Sequence, residues 1–227
     1  MQRRKFTSGL VCLGGLWTLD ARAAGITEGD AALGVRAALE RGAIAAVGLL
    51  GRSGGFLDNP KVRIQLPGYL NEAAKVLKYT GQQRRVDELV TAMNRAAEAA
   101  VPEAKALLVN AVKSMSVEDG RQILTGGDDS ATQFFAGKTR APLSVKFLPI
   151  VTRATEKVSL ADKYNKVAGQ VASLGLVSKD EANIQSYITG KALDGLYLII
   201  GEEERKIRQD PIGTGSAILK KVFGSLR

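Results

Sequence analysis

The residues of this sequence that could carry chemistry are polar side chains set into apolar helical runs. Asn94 and Glu98 lie four residues apart at the edge of an apolar stripe, and Arg95 can reach Glu98 at a spacing of three. We expect Asn94 and Glu98 to be half buried. Such a cluster either fixes the register of helix packing through hydrogen bonds or binds a polar ligand. The spacing alone leaves both interpretations open.

A second carboxylate, Asp194, interrupts the apolar run 192–201. A carboxylate buried there without a partner would cost several kcal/mol, so we expect Asp194 to contact Lys191, Arg95 or a group of backbone N–H donors. Glycines in the same region predict the close passage of another helix, because each glycine in a helix interior costs about 1 kcal/mol relative to alanine. These glycines are Gly190, Gly195 and Gly201.

The segment 126–130 combines two glycines with two aspartates, and a divalent cation could use such oxygens. The segment lacks the alternating oxygen ligands and the distal glutamate of an EF-hand. A glycine at a helix C-cap, followed by Asp128 as the N-cap of the next helix and Asp129 near its dipole, accounts for these residues without an ion. We therefore predict no metal site and no cofactor, and we keep Asp128 and Asp129 as candidate ligand contacts.

Two further acid–base pairs lie near the end of the chain. Glu204 precedes Arg208 by four residues, and Glu202 precedes Lys206 by four. With the acid first, this spacing is typical of ordinary pairing on the surface of a helix.

The composition excludes several classes of enzyme. The chain has 227 residues and no histidine, so a Ser-His-Asp triad, a Cys-His dyad and a His-ligated zinc site each lack an obligatory member. Ser144 and Lys146 are too close together for the S-x-x-K motif. No nucleophile is nominated, and the composition leaves open whether the protein is an enzyme.

The N-terminus has the pattern of a secretory signal peptide. Residues 3–5 are basic, residues 6–19 are mostly apolar, and 21–23 is a small-x-small site for a signal peptidase. The apolar stretch is too short to span a bilayer, and the bulky Val11 before Cys12 argues against a lipoprotein. We predict a signal peptide over 1–23, a periplasmic or envelope location, and no transmembrane helix in the mature chain. The pair Arg3-Arg4 leaves both the general secretory route and the twin-arginine route open.

The formal net charge of +9 is unevenly distributed. Outside the cytoplasm the available polyanions are lipid headgroups and acidic polymers, although a basic segment is also compatible with a merely solvated face. Few aromatic residues accompany the charge, so no nucleic-acid partner is expected. Within 52–85, only Asp58 and Glu72 oppose the basic residues Arg52, Lys61, Arg63, Lys75, Lys78, Arg84 and Arg85.

Helices must position these residues. Apolar residues recur at three- and four-residue steps from Val86, which predicts a helix there. Ser116 with Asp119 forms a capping pattern that marks the start of another helix. Pro142 and Pro149 are expected to bracket a separate helix. We predict one all-α domain over 24–227, a multi-helix bundle in which 51–67 is a Gly/Pro-rich loop and connector, with at most one strand-like segment near 61–66. One expected helix starts at Asp128, and the next is the one bracketed by the two prolines, with Phe147, Ile150 and Val151 as core candidates. The other expected helices cover about 27–50, 67–79, 86–101, 102–115, 116–126, 159–174, 180–209 and 218–223.

Five ordered segments of the sequence together resemble a bacterial family catalogued as domain of unknown function 4197. The resemblance implies an exported helical protein of unassigned activity and covers nearly all of the mature chain. The segments are VRIQLP at 62–67, MNRAAE at 93–98, GGDDSAT at 126–132, KALDGL at 191–196 and EERKIR at 203–208.

Two classes of function remain open. One is a non-enzymatic envelope module that binds an amphiphile, an anionic envelope component or a protein partner, with Arg95, Arg205 and Arg208 as candidate anion contacts. The other is a hydrolase or lyase acting on an envelope polymer, with Glu98 as the acid/base and Asp194 or Asp128 as its partner. Scarce aromatic residues, which sugar sites use as platforms, favour the binding module.

Overall fold

The computed structural model describes residues 28–68, 81, 83–156, 161–162, 164–165 and 183–210. In this part of the chain the structure is helical and has no β-strand, which confirms the predicted all-α fold. None of the helices in these ranges combines the length and apolarity needed to cross a membrane. The elements are α1 (Glu28–Leu50), α2 (Gln83–Ala100), a 3-10 turn (Val101–Glu103), α3 (Ala104–Lys113), α4 (Val117–Thr125), α5 (Ser130–Thr155) and α6 (Ile184–Gln209).

The helix ends follow local capping chemistry. Ser116 is the N-cap of α4, its hydroxyl accepts the N–H of Asp119, and the Asp119 carboxylate accepts the N–H of Ser116, so the predicted capping box is confirmed. Asn183 caps α6 by accepting the N–H of Ser186. Pro102 lies in the 3-10 turn that leads into α3, rather than in the α-helix itself.

The prediction that Pro142 and Pro149 delimit a separate helix is wrong, because both lie inside the continuous helix α5. Both prolines are on the exposed side, where water can reach the carbonyls that lose their N–H partners. On the opposite side α5 is anchored in the core at regular four-residue steps. The buried residues are Phe135, Thr139, Leu143, Phe147 and Val151.

Helix α6, the last in the part of the chain that the structure describes, lies at the centre of the packing and contacts α5, α1 and α2. Most of its apolar residues are buried, although Leu198 is exposed. At Gly42 of α1 the two helices are in ordinary contact, because a Cβ there would lie 3.5 Å from the Cβ of Glu203. The largest fully buried side chains of α6 are Ile184, Ile188, Leu193 and Leu196.

Several predicted segments lie largely or wholly outside the described residues. They are the signal peptide at 1–23 and the helices at 67–79, 159–174 and 218–223. Gly81 has a φ of 73°, in the left-handed region that glycine adopts more readily than other residues. The chain from 51 to 68 is a run of turns followed by an extended connector, as predicted, with no strand at 61–66.

Candidate functional site

The loop that follows α1 is held in place by a buried carboxylate of α2. One oxygen of Glu98 accepts the backbone N–H groups of Phe56, at 3.1 Å, and Leu57, at 3.0 Å. Its other oxygen accepts Nη1 of Arg95 at 2.6 Å, which confirms the pairing expected from their spacing. Glu98 is only 5% exposed, so it is more deeply buried than we predicted. Charge-assisted bonds of this kind are stronger than neutral ones and compensate for burial of the charge.

Asn94, one turn earlier on α2, binds the extended connector. Its side-chain oxygen accepts the N–H of Ile64 at 2.8 Å, and its Nδ2 donates to the Ile64 carbonyl at 2.9 Å and to the Val90 carbonyl at 2.8 Å. The amide is fully buried and uses both of its donors and its acceptor. Asn94, Arg95 and Glu98, here called the α2 clamp, therefore fix two separate points of one loop.

A glycine of α6 completes the fit of this loop. A Cβ at Gly195 would lie 2.8 Å from Cε1 of Phe56 and 3.2 Å from the Cβ of Val62. The predicted close approach at Gly195 is therefore real, but a loop makes it rather than a helix. At Gly201 a helix does approach, because a Cβ there would lie 3.2 Å from Oγ1 of Thr132 on α5, whereas among the described residues none comes within 4 Å of a Cβ at Gly190.

The environment of Glu98 determines its protonation. Burial is the largest single influence and acts to raise the pKa of Glu98, but the N–H groups of Leu57 and Phe56 together with Arg95 outweigh it, so the pKa lies below its ordinary value. An ionised carboxylate whose two oxygens both accept strong hydrogen bonds is poorly suited to act as a general acid.

A cavity of about 410 Å³ opens over the clamped loop. Its cationic side is formed by Arg52, and the Oγ of Ser53 accepts Nη1 of Arg95 at 2.8 Å. The guanidinium of Arg95 is thus held between Ser53 and Glu98, yet 43% of its side chain is exposed. The lining residues are Leu49, Arg52, Ser53, Gly54, Gly55, Asp58, Asn59 and Pro60.

Glu204 and Arg208, here called the α6 clamp, hold the turn between α4 and α5. Glu204 accepts the backbone N–H groups of Ala131 and Thr132, both at 2.9 Å, at the start of α5. Arg208 donates to Glu204 at 2.9 Å and to the Ile123 carbonyl near the end of α4 at 2.8 Å. The predicted pairing exists, but its placement on the surface is wrong, because Glu204 is buried.

The other pair, Glu202 with Lys206, does not form as predicted: Glu202 instead accepts the Lys61 ammonium at 2.7 Å, and Lys206 bonds Glu203. Glu202 therefore joins α6 to the loop after α1.

The aspartates of the α4–α5 turn have a smaller role than expected. The N-cap of α5 is Asp129 rather than Asp128, and its side chain makes no capping hydrogen bond. The reason is that Glu204 already occupies the N–H groups that an N-cap side chain would accept. Asp128 is exposed in the turn. Across the described part of the chain no cluster of three or more His, Cys, Asp or Glu residues could hold a metal ion.

Asp194 lies apart from both clamps. It is half exposed, and its carboxylate accepts Nη2 of Arg140 at 2.6 Å and lies 3.7 Å from Nζ of Lys191. The contact with Lys191 confirms one expected partner, whereas Arg140 was not anticipated. Arg140 also lies over the ring of Tyr197, 5.8 Å from its centroid. Arg205, the remaining candidate anion contact, is exposed on α6.

The candidates from the sequence thus divide into three places. The α2 clamp fixes the loop after α1 and reaches the cavity lining only through the bond from Arg95 to Ser53. The α6 clamp holds the α4–α5 turn, and Lys191 with Asp194 lies on the exposed side of α6. Sequence reasoning missed Ser53 and Arg140, and it named Arg52 only as one of the basic residues of 52–85. The run of glycines at 51–55 was the available indication for Ser53, because such runs often bring backbone and ligand close together.

The fold and these contacts define an all-α protein whose irregular segments are bound by buried side chains of two helices. The chain belongs to the family described as "Protein of unknown function (DUF4197)", whose profile matches residues 25–224. The resemblance seen in the five sequence segments is thereby confirmed. Comparison with curated proteins and with solved structures found no match to this chain.

Proposed function

We propose that this protein is an exported, non-enzymatic binding module of the cell envelope, and that its ligand presents an anionic group to the loop cavity. Export is inferred from the basic and apolar pattern of residues 1–23. The ligand class is inferred from the cavity itself and from the excess of basic residues in 52–85.

The observation that carries the proposal is the fixed position of Arg95. Its guanidinium is bonded to Glu98 at 2.6 Å and to Ser53 at 2.8 Å, and its side chain remains partly exposed. A guanidinium held in this way loses little conformational entropy when an anion binds. Arg95 is not itself in the lining of the cavity, but it is bonded to Ser53, which is, and Arg52 is the cation of the lining.

The size and lining of the cavity are consistent with a small anionic group. A volume of about 410 Å³ lies within the range of small-molecule sites. Asp58 also lines the cavity, so we expect the anion to bind on the side of Arg52 and Ser53, away from that carboxylate. Phosphate monoesters have the compact charge that such a site favours.

Titration calorimetry with glycerol phosphate and with inorganic phosphate tests the proposal. We expect both probes to bind, and we expect the double variant Arg52→Gln/Ser53→Ala to weaken binding by about tenfold, the loss of one charge-assisted hydrogen bond. Arg84→Gln is the matched control, because Arg84 is in the same basic segment but pairs with Glu88 on the surface. Failure of both probes to bind, or equal loss in the control, would overturn the proposal.

The geometry gives less support to the hydrolase or lyase. That mechanism needs Glu98 to exchange a proton with substrate, but Glu98 is buried, its pKa is lowered and its oxygens are occupied by Phe56, Leu57 and Arg95. Asp194, its proposed partner, is instead paired with Arg140 on the exposed side of α6.

A further inference from the structure

The exposed side of α5 carries apolar residues that no described element covers. Val145 is 75% exposed and Leu148 is 40% exposed. Ala141, Pro142 and Pro149 are exposed beside them. Steps of three and four residues place all of these on one face of the helix, with Val145 at its centre.

The charges within this helix are basic. Its sequence from 130 to 155 contains four basic residues and no acidic one, and the exposed C-cap residue Glu156 places a carboxylate that opposes them at its C-terminal end. Arg140 is paired with Asp194, and Lys138 lies close enough to Asp119 of α4 to help lower the pKa of that carboxyl, an effect dominated by hydrogen bonds from Ser116. The charge beside the apolar face therefore comes mainly from Lys146 and Arg153, both of which are exposed.

We propose that this face of α5 is a peripheral docking surface for an anionic phospholipid bilayer. Val145 and Leu148 would enter the interfacial layer, while Lys146 and Arg153 contact lipid phosphates. An exposed apolar strip bordered by Lys and Arg can dock on an anionic membrane surface, because burial of the apolar side chains and attraction to lipid phosphates act together. Anionic lipids attract such cations, which adds to the burial of the apolar side chains.

Two features favour a bilayer over a second copy of the chain. Pairing two copies of this face would bring their Lys146 and Arg153 side chains together, and like charges across an interface are repulsive. In addition, Pro142 and Pro149 leave the carbonyls of Lys138 and Val145 without helical N–H partners on the exposed side. Water in the headgroup layer can satisfy these carbonyls, whereas a dry protein interface would leave them unpaired.

Flotation of the full chain with lipid vesicles tests this surface. We expect binding to vesicles of equal parts phosphatidylcholine and phosphatidylglycerol, and little binding to phosphatidylcholine alone. Val145→Glu is expected to reduce partitioning by about tenfold or more, because it removes a buried apolar side chain and adds a charge that anionic lipid repels. The control is Leu33→Glu. Leu33 is also an exposed apolar residue, at 52%, but it is on α1 and not on the proposed surface of α5.

The contribution of charge is measured separately. Lys146→Gln and Arg153→Gln are each expected to lower partitioning roughly fivefold, and added salt should lower it further. Lys105→Gln and Lys113→Gln are matched controls, because both residues are exposed cations on α3 and Lys113, like Arg153, is in the last turn of its helix. Each control substitution is expected to change partitioning by less than half of the change that Lys146→Gln or Arg153→Gln produces.

Three outcomes would overturn the proposal. The first is vesicle binding that Val145→Glu leaves unchanged, which would assign it to another part of the chain such as the apolar stretch at 6–19. The second is concentration-dependent dimerisation in sedimentation that Val145→Glu abolishes, which would make this face an interface between copies. The third is slow maleimide labelling of Val145→Cys in a Cys12→Ser background without lipid, which would show that another segment covers the face.

Discussion

Glu98 binds the backbone of Phe56 at 3.1 Å, and the ring of Phe56 occupies the space that a side chain at Gly195 would fill. A carboxylate of α2, the loop after α1 and a glycine of α6 therefore meet at one point. This junction connects elements that are far apart in the sequence.

Replacing Glu98 with Gln should destabilise the fold by about 1–3 kcal/mol, because two backbone N–H groups and Arg95 lose a charged acceptor. Chemical denaturation measures the change in the free energy of unfolding. Glu88→Gln is the control, since Glu88 forms a solvent-exposed pair with Arg84 and is expected to contribute less than about 1 kcal/mol. Equal effects of the two substitutions would contradict a structural role for the α2 clamp.

The same carboxylate should make stability depend on acidity. The pKa of Glu98 is lower in the folded protein than in the unfolded chain, so its contribution is complete above the unfolded value of about 4.3 and is lost as the pH falls through the folded value. Unfolding free energies across this range should fall less steeply in Glu98→Gln than in the parent. Asp119, whose pKa is lowered by its bonds to Ser116, acts in the same direction, so Asp119→Asn is measured separately.

Two glycines of α6 should respond to alanine with opposite signs. Gly195→Ala places a methyl group 2.8 Å from the Phe56 ring and should cost about 1–3 kcal/mol. Gly190→Ala meets no described atom within 4 Å and should raise stability by up to about 1 kcal/mol, the difference in helix propensity. Thermal unfolding of both variants is the measurement. A stable Gly195→Ala variant would show that the loop can move away from α6 at little cost.

The α6 clamp should contribute more to stability than the neighbouring exposed pair of Glu203 and Lys206. Glu204→Ala leaves the N–H groups of Ala131 and Thr132, and the largely buried Arg208, without a carboxylate, which should cost about 3–5 kcal/mol. Glu203→Ala removes only a pair with the exposed Lys206. Hydrogen exchange at Ala131 and Thr132 should quicken in the first variant alone. Unchanged exchange there would mean that these N–H groups have another acceptor.

The ion pair between Arg140 and Asp194 should contribute little. Both side chains are close to half exposed, and pairs of this kind are usually worth less than about 1 kcal/mol. A double-mutant cycle with Arg140→Gln and Asp194→Asn measures the coupling. A much larger value would require the contact of Arg140 with Tyr197 to depend on Asp194.

How far the fold followed from the sequence varies from element to element. The period of apolar residues predicted α2, and Ser116 with Asp119 predicted the start of α4, because both depend on residues close together in the chain. The division of α5 at its prolines was wrong, because the cost of each proline is outweighed by a buried face that continues through Leu143, Phe147 and Val151.

The partners of the site residues were harder to predict, because many of them are far away in the sequence. The bond between Arg95 and Glu98 follows from a spacing of three, but those from Glu98 to Phe56 and from Arg140 to Asp194 join residues 42 and 54 positions apart. Such contacts depend on how the helices pack. The burial of Glu204 could not be predicted from the sequence either, because a spacing of four to Arg208 is the same in a surface pair and in a buried pair.

The α6 clamp also has a consequence for synthesis of the protein. The amides at the start of α5 are bonded by a carboxylate that comes 72 and 73 residues later in the chain. While a ribosome is still making the residues between them, Glu204 is absent, so the adjacent N-cap Asp129 or water must accept these amides. The bonds seen here between the turn and Glu204 therefore form only after α6 has emerged.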